Sequence, residues 1–311
     1  MNVGITGSNG FIGSHLSAFL KTKNINVKSL ARKKKGKLLV NNLSKFTDWK
    51  DSIKNLDVIV HCGARVHKLN DKDPLSSKLF NEINVEGTKN LAEQAANFGV
   101  KKFIFLSTIK VNGENTNNTY PFNRKSSINP QDSYAKSKAI GERILNEIHK
   151  ETKMSIVIIR IPIVYGPKVK ANFKKLLWIV NKGIPLPFGN VRNKRSYLYI
   201  KNLEALIYEC CINNKANNKL FLASDMEDLS TPELIIKLKK LFNSRTFLFS
   251  LNQSFLMLFF KLINKKDMLK RLTDSLSISS SECFEDLNFV LPYTMDEGLK
   301  ETVDWFLISK S

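Results

Sequence analysis

A doubly wound α/β fold, with a parallel sheet covered by helices and a smaller, mostly helical C-terminal lobe, is what this sequence predicts. Three observations carry that expectation. Short apolar runs alternate with amphipathic segments through the first half of the chain. The strand-like runs are apolar on both faces, as buried parallel strands are. A glycine-rich turn joins the first of them to the first helix, in "GITGSNGFIG".

The elements follow in order. "MNVGIT" reads as a strand, "FIGSHLSAFLKTK" as a helix and "NVKSLAR" as a strand. "LDVIVHCG" and "KKFIFLST" are strands on either side of the helix "NVEGTKNLAEQAANFG". "SYAKSKAIGERILNEIHKET" has helical apolar spacing, and "MSIVIIRIPIVYG" is a near-continuous apolar strand. Beyond about residue 166 the pattern loosens. "NFKKLLWIVNKG" is a helix, "KLFLAS" a further sheet strand, and "STPELIIKLKKLF" a helix with Ser230 and Thr231 as cap candidates, Pro232 near the first turn and Glu233 behind. No internal repeat or low-complexity linker interrupts the chain. The expected division is a dinucleotide-binding unit of residues 1–165 and 190–224, and a second lobe of 166–189 and 225–311.

Gly7, Gly10 and Gly13 are spaced three apart between the first strand and the first helix. A tight turn, close approach of backbone to a pyrophosphate, and close helix–sheet packing each need a missing side chain. The helix then aims its amides at the phosphates. In this strand–turn–helix setting the trio predicts dinucleotide binding. The second strand ends in "SLARKKKGK", with no acid to grip the ribose diol of NAD. Arg32 and the lysines after it suit a 2′-phosphate, and equally suit a solvated basic loop. The cofactor is therefore NAD or NADP, with a lean towards NADP(H).

The net charge is +21. Its lysines are spread along the whole chain, not gathered with interleaved aromatics, which argues against nucleic acid and for an anionic small substrate or an anionic membrane surface. Four cysteines without a C-x-x-C pair, and a first strand reached without a basic leader, lead to the expectation of a reducing cytoplasm. No cluster of His, Cys and carboxylates suggests a metal. The most apolar stretch, "SFLMLFFKLINKK" at 254–266, is broken by Lys261 and falls short of the ~20 residues that a bilayer span needs. It reads as an amphipathic helix packed on its own domain, or as a basic helix in peripheral contact with a membrane.

Tyr134 and Lys138 lie four apart at the start of a helix, in "NPQDSYAKSK". A free phenol, with a pKa near 10, is too weak an acid for proton transfer at neutral pH. An ammonium one turn along the same face favours the phenolate. Taken together, T-G-x-x-G-x-x-G (Thr6 to Gly13), N-x-x-G-T (Asn84 to Thr88), "FLSTIKVNG" and Y-x-x-x-K (Tyr134 to Lys138) resemble the extended short-chain dehydrogenase/reductase family of nucleotide-sugar epimerases, dehydratases and reductases. "RIPIVYGP", "NF" at 172–173 and "RSYLYIKN" agree, so the resemblance covers essentially the whole chain.

The resemblance implies Thr108, Tyr134 and Lys138 as the catalytic set. It implies Gly7, Gly10, Phe11, Ile12, Gly13, Arg32, Asn42, Leu43, Ala64, Asn84, Tyr134 and Lys138 around the dinucleotide. His67, Lys110, Asn172, Arg195 and Arg271 are implied around a UDP-sugar. For Asn172 a helix cap, for Arg195 a surface charge and for His67 a packed loop histidine are the plainer readings. Where the family's 4,6-dehydratases have Asp and Glu after the threonine, this chain has Ile109 and Lys110, which cannot eliminate water. Chemistry at C4 remains. The wording of "FLSTIKVNGE", "GARVHK" and "PQDSYAKSK" is most similar to a UDP-glucose 4-epimerase-like subgroup that includes 4-ketoreductases forming UDP-N-acetylquinovosamine for surface polysaccharides. The expectation is reduction of a UDP-4-keto-6-deoxy-N-acetylhexosamine, with 4-epimerisation on tightly held NAD as the alternative and a non-catalytic dinucleotide-binding module as a third. Two family acids are replaced, one by Asn42 and one by Lys201. The family also implies a homodimer.

Overall fold

The computed structural model describes residues 1–30, 33–35, 38–40, 42–66, 74–117, 119–262 and 266–309. The first half runs β1 (Asn2–Thr6), α1 (Phe11–Thr22), β2 (Asn26–Leu30), a hairpin of β3 (Lys33–Lys35) and β4 (Leu38–Val40), α2 (Lys50–Ile53), β5 (Val58–His61), α3 (Pro74–Phe80), α4 (Gly87–Asn97) and β6 (Lys102–Thr108). It continues with α5 (Ser133–Glu151), β7 (Ser155–Ile161), β8 (Ile163–Tyr165), α6 (Ala171–Asn181), β9 (Tyr197–Tyr199), α7 (Ile200–Ile212) and β10 (Leu220–Leu222). Five helices close the chain: α8 (Thr231–Phe242), α9 (Gln253–Leu262), α10 (Lys266–Thr273), α11 (Ser281–Leu287) and α12 (Met295–Ile308).

Six strands form one parallel sheet in the order β10-β7-β6-β5-β1-β2. The order reverses between β1 and β5, where connections leave to opposite faces and a crevice opens at the carboxyl ends of both strands. Alternation along each strand decides which layer a side chain joins. Val3, Ile5, Val58, Val60, Ile104, Leu106, Val157 and Ile159 pack with Leu16 and Leu20 of α1 and Leu203 of α7. Ile59, Phe103, Phe105, Ile156 and Ile158 face the other way, onto Leu91 and Ala95 of α4 and Leu145 of α5. All seven residues of β6 are buried, which is why that strand reads as an unbroken apolar run.

The expected continuous strand over "MSIVIIRIPIVYG" is two strands. Pro162 has no amide hydrogen for the ladder, so β7 ends at Ile161, and β8 leaves the sheet to pair with β9. The helix expected to start at "NVEGTKN" instead runs on from α3 through a π-helical turn, Asn81–Glu86, into regular α-helix at Gly87, so Asn84 lies within it and not at its start. Ser230 caps α8 in a capping box with Glu233, and Thr294 does the same for α12 with Glu297. Leu234, Leu238, Leu256, Leu299, Val303 and Phe306 of the C-terminal helices belong to the same core cluster as the α1 and α7 side of the sheet.

Candidate active site

The glycine turn sits at the carboxyl end of β1. Gly7 has φ +63°, a conformation that favours glycine, and its amide oxygen accepts from Gly10 N at 2.8 Å. A Cβ on Gly13 would lie 2.4 Å from Gly7 O, so the start of α1 packs directly against the turn. No side chain caps α1, and its first turn holds no acid. Its leading amides are thus left to an anion, and the residues present fit a dinucleotide pyrophosphate. Phe11 and Ile12, in that first turn, pack against the core.

Across the crevice, β5 ends in His61, a residue that pattern reading passed over. His61 Nδ1 lies 2.7 Å from Thr6 Oγ1, and Nε2 lies 3.0 Å from Thr88 Oγ1. Gly63 N donates to the same Thr6 oxygen at 3.0 Å. Burial, assisted by the Lys138 charge, pushes the imidazole down to about 3, so it is a neutral strut tying β1, β5 and α4 together. Its ring stacks on Phe105 of β6, 5.7 Å centroid to centroid. Leu43 lies against Gly63 and Gly87, beside half-buried Ala64 and Asn42. Asn84, in the π-helical turn, accepts from Arg65 N at 2.7 Å and donates to Arg65 O and Ser137 Oγ at 3.0 Å each. Its amide clamps the loop after β5 to α5. Arg32 lies outside the described residues.

β6 ends in Ser107 and Thr108, and α5 begins opposite. Asp132 caps α5 by accepting from Ala135 N at 2.7 Å, which fixes the turn carrying Tyr134. Tyr134, Lys138 and Glu142, each four residues on, share one face of the helix. Lys138 is 2% exposed, with Nζ 3.7 Å from the centroid of the Phe105 ring. Burial lowers its ammonium to about 7, although Glu142 and the Cys62 thiol act the other way. Tyr134 is raised to about 12 by burial and by the Asp132 carboxylate. The largest influence on each group is its own desolvation, which acts against the phenolate that a Lys138 charge favours.

Lys110, expected on the sugar, bonds Glu114 Oε1 at 2.8 Å and Asp132 Oδ2 at 2.7 Å. It therefore fastens the loop after Thr108 to the cap of α5. Behind it, Ser107 donates to Glu142, which forms a two-pronged ion pair with Arg160 of β7; Arg160 also bonds Asn112 Oδ1 at 3.0 Å. Ser107, Glu142, Arg160 and Asn112 are all buried. Glu142 was within reach of sequence reasoning, because it continues the four-residue spacing; Arg160 was not.

On the remaining side of the cleft, Arg195 is buried, not a surface charge, and its Nη1 donates to Asp274 O at 2.8 Å. Burial lowers its pKa, and the positive charge of Arg271 acts in the same direction, so the fold brings these two arginines near one another. Glu114 is near enough to oppose that shift. Asn172 is exposed in the first turn of α6, but Lys170 occupies the cap position, so Asn172 is not the cap. His67 lies outside the described residues.

Over residues 3–219 the chain matches the NAD dependent epimerase/dehydratase family. It belongs to that family. A "UDP-glucose 4-epimerase" of Vibrio cholerae is 43% identical, covering 97% of this chain and 94% of the relative. An "N-acetyl-alpha-D-glucosaminyl-diphospho-ditrans,octacis-undecaprenol 4-epimerase" of Escherichia coli O157:H7 is 26% identical over 98% and 95%. Among solved structures, a UDP-glucuronic acid 4-epimerase from Bacillus cereus in complex with NAD superposes with a TM-score of 0.77 over 100% of both chains, at 19% identity. The protein is thus an enzyme of the NAD dependent epimerase/dehydratase family, with that family's dinucleotide-binding sheet. At the two positions where the resemblance implies an acid, the backbone carbonyl of Asn42 accepts from Thr47 Oγ1, and Lys201 pairs with Glu301 at 2.7 Å.

Proposed function

We propose that the protein transfers hydride at C4 of a UDP-sugar and that its reaction is 4-epimerisation. The observation that carries this reading is the set of Thr108 at the carboxyl end of β6 with Tyr134 and Lys138 in the first two turns of α5, in a chain with two full-length relatives that bear 4-epimerase names. NAD, when bound, supplies the hydride acceptor and donor at the sugar carbon. The chain's residues do the rest. Thr108 Oγ orients the substrate hydroxyl, and Tyr134 Oη takes the O4 proton and returns it. Lys138 and the amides of α1 hold the dinucleotide, while Arg195 and Arg271 neutralise the substrate diphosphate. Ile109 and Lys110 supply no acid–base pair for dehydration.

Net reduction of a UDP-4-keto-6-deoxy-N-acetylhexosamine is the second reading. It is favoured by "ARKKKGK" after β2, which lacks the acid expected of a permanently held NAD and suits an exchangeable NADP(H). The test is an absorbance spectrum of the purified protein, followed by turnover. Interconversion of UDP-glucose and UDP-galactose, or of their N-acetyl forms, without added cofactor identifies the epimerase. Stoichiometric loss of reduced-nicotinamide absorbance with the 4-keto sugar identifies the reductase. Tyr134→Phe is expected to abolish turnover in either case while cofactor binding persists. A parent with no turnover on any of these sugars would leave only a dinucleotide-binding module and overturn both.

A further inference from the structure

Helix α9 has two apolar faces, and the core uses one. Leu256 and Phe260, four apart, are buried in the main core cluster. Phe255, Leu258 and Leu262 follow the i, i+3, i+7 spacing of a second stripe and are 67%, 54% and 77% exposed. The segment leading into α9 adds to this surface. Backbone bonds hold it beside residues 186–189, from Leu186 N to Phe247 O and from Gly189 N to Phe249 O, each 3.0 Å. Residues two apart on an extended strip share a side. Phe247 and Phe249 accordingly both face solvent, with ring centroids 6.0 Å apart, while Leu248 packs on the core.

The charge of the chain segment that carries this surface selects its occupant. From Lys239 to Arg271 the chain carries eight Lys and Arg and a single acid, Asp267. A second copy related by two-fold symmetry would set these like charges against themselves. An apolar helix face among lysines is instead the pattern that inserts into the headgroup region of an anionic bilayer. No described helix is long and apolar enough to cross a membrane, so contact would be by lying on the surface.

We propose that the α9 stripe, with Phe247 and Phe249, docks the enzyme on an anionic phospholipid surface. Arg271 lies on α10, the helix next in sequence, so docking holds the diphosphate side of the cleft close to the bilayer. The inference is independent of which sugar is turned over.

The test is flotation of the full chain with vesicles of phosphatidylethanolamine and phosphatidylglycerol, against vesicles of phosphatidylcholine alone. The parent is expected to float with the anionic vesicles only, and less so at high salt. The triple variant Phe255→Ser, Leu258→Ser, Leu262→Ser, which alters only exposed side chains, is expected to lose binding by about tenfold or more while its melting curve is unchanged. A parent that ignores anionic vesicles, binds both kinds equally, or floats undiminished in the triple variant overturns the proposal. So does a parent that sediments as a dimer and a triple variant that sediments as a monomer, with no vesicle binding by either, since the stripe would then belong to a second copy.

Discussion

Lys110 illustrates how one side chain can serve catalysis without meeting the reacting atoms. It neutralises Asp132, whose carboxylate both caps α5 and raises the Tyr134 phenol. In Lys110→Met that carboxylate stands less compensated, and the phenol is driven higher still. The expected result is a kcat reduced about tenfold near neutrality and the ascending, acid-side limb of the kcat–pH profile moved to higher pH. A loss without movement of the limb would make Lys110 a purely structural staple. His61 makes a prediction of the opposite kind. In the fold it stays neutral down to about 3, against an ordinary 6.5. The unfolded chain therefore takes up a proton first as the medium is acidified, and stability is lost as pH falls from 6.5 towards 3. Denaturant midpoints measured across that window should show the slope, and His61→Gln should flatten it.

Among the elements, α5 and β7 are joined by charges within the core. Glu142 and Arg160 have side chains 5% and 4% exposed. Removing one partner leaves the other buried and unpaired, so Glu142→Gln is expected to cost about 3–5 kcal/mol. Replacing both with apolar residues, Glu142→Leu with Arg160→Met, should recover much of that, because desolvating the pair offsets most of its attraction. Thermal unfolding of the two variants provides the comparison. A similar tie binds β6 to α7, where buried Lys102 donates to the carbonyls of Cys210 and Asn213 at 2.8 and 3.1 Å and closes the end of that helix.

For the whole molecule, one apolar cluster extends from Val3 of the sheet to Phe306 of the last helix. The C-terminal helices consequently have no separate core, and a single cooperative transition is expected, coincident by near- and far-ultraviolet circular dichroism. Saturating cofactor should raise that transition. At a hundredfold excess over Kd the gain is about 2.7 kcal/mol. Running NAD and NADP side by side shows which the site prefers, and equal small shifts would mean that neither is held by the glycine turn.

Periodicity made the sheet legible because buried parallel strands are continuous apolar runs, and β1, β5, β6 and β7 stand in the sequence as such. The glycine turn and the Tyr134–Lys138–Glu142 face were legible for the same reason: their geometry is local, within one turn or one helix face. Pro162 also stood in plain view, but its consequence, the exchange of β8 from the main sheet to β9, depends on a partner 34 residues further along the chain. The desolvation of Tyr134 and Lys138 and the capture of Lys110 by Asp132 and Glu114 were decided only in three dimensions. So were the gathering of Arg195 with Arg271 and the second apolar stripe left bare on α9. Burial and Coulomb interactions depend on which distant residues are brought together, and spacing along the chain carries no measure of either.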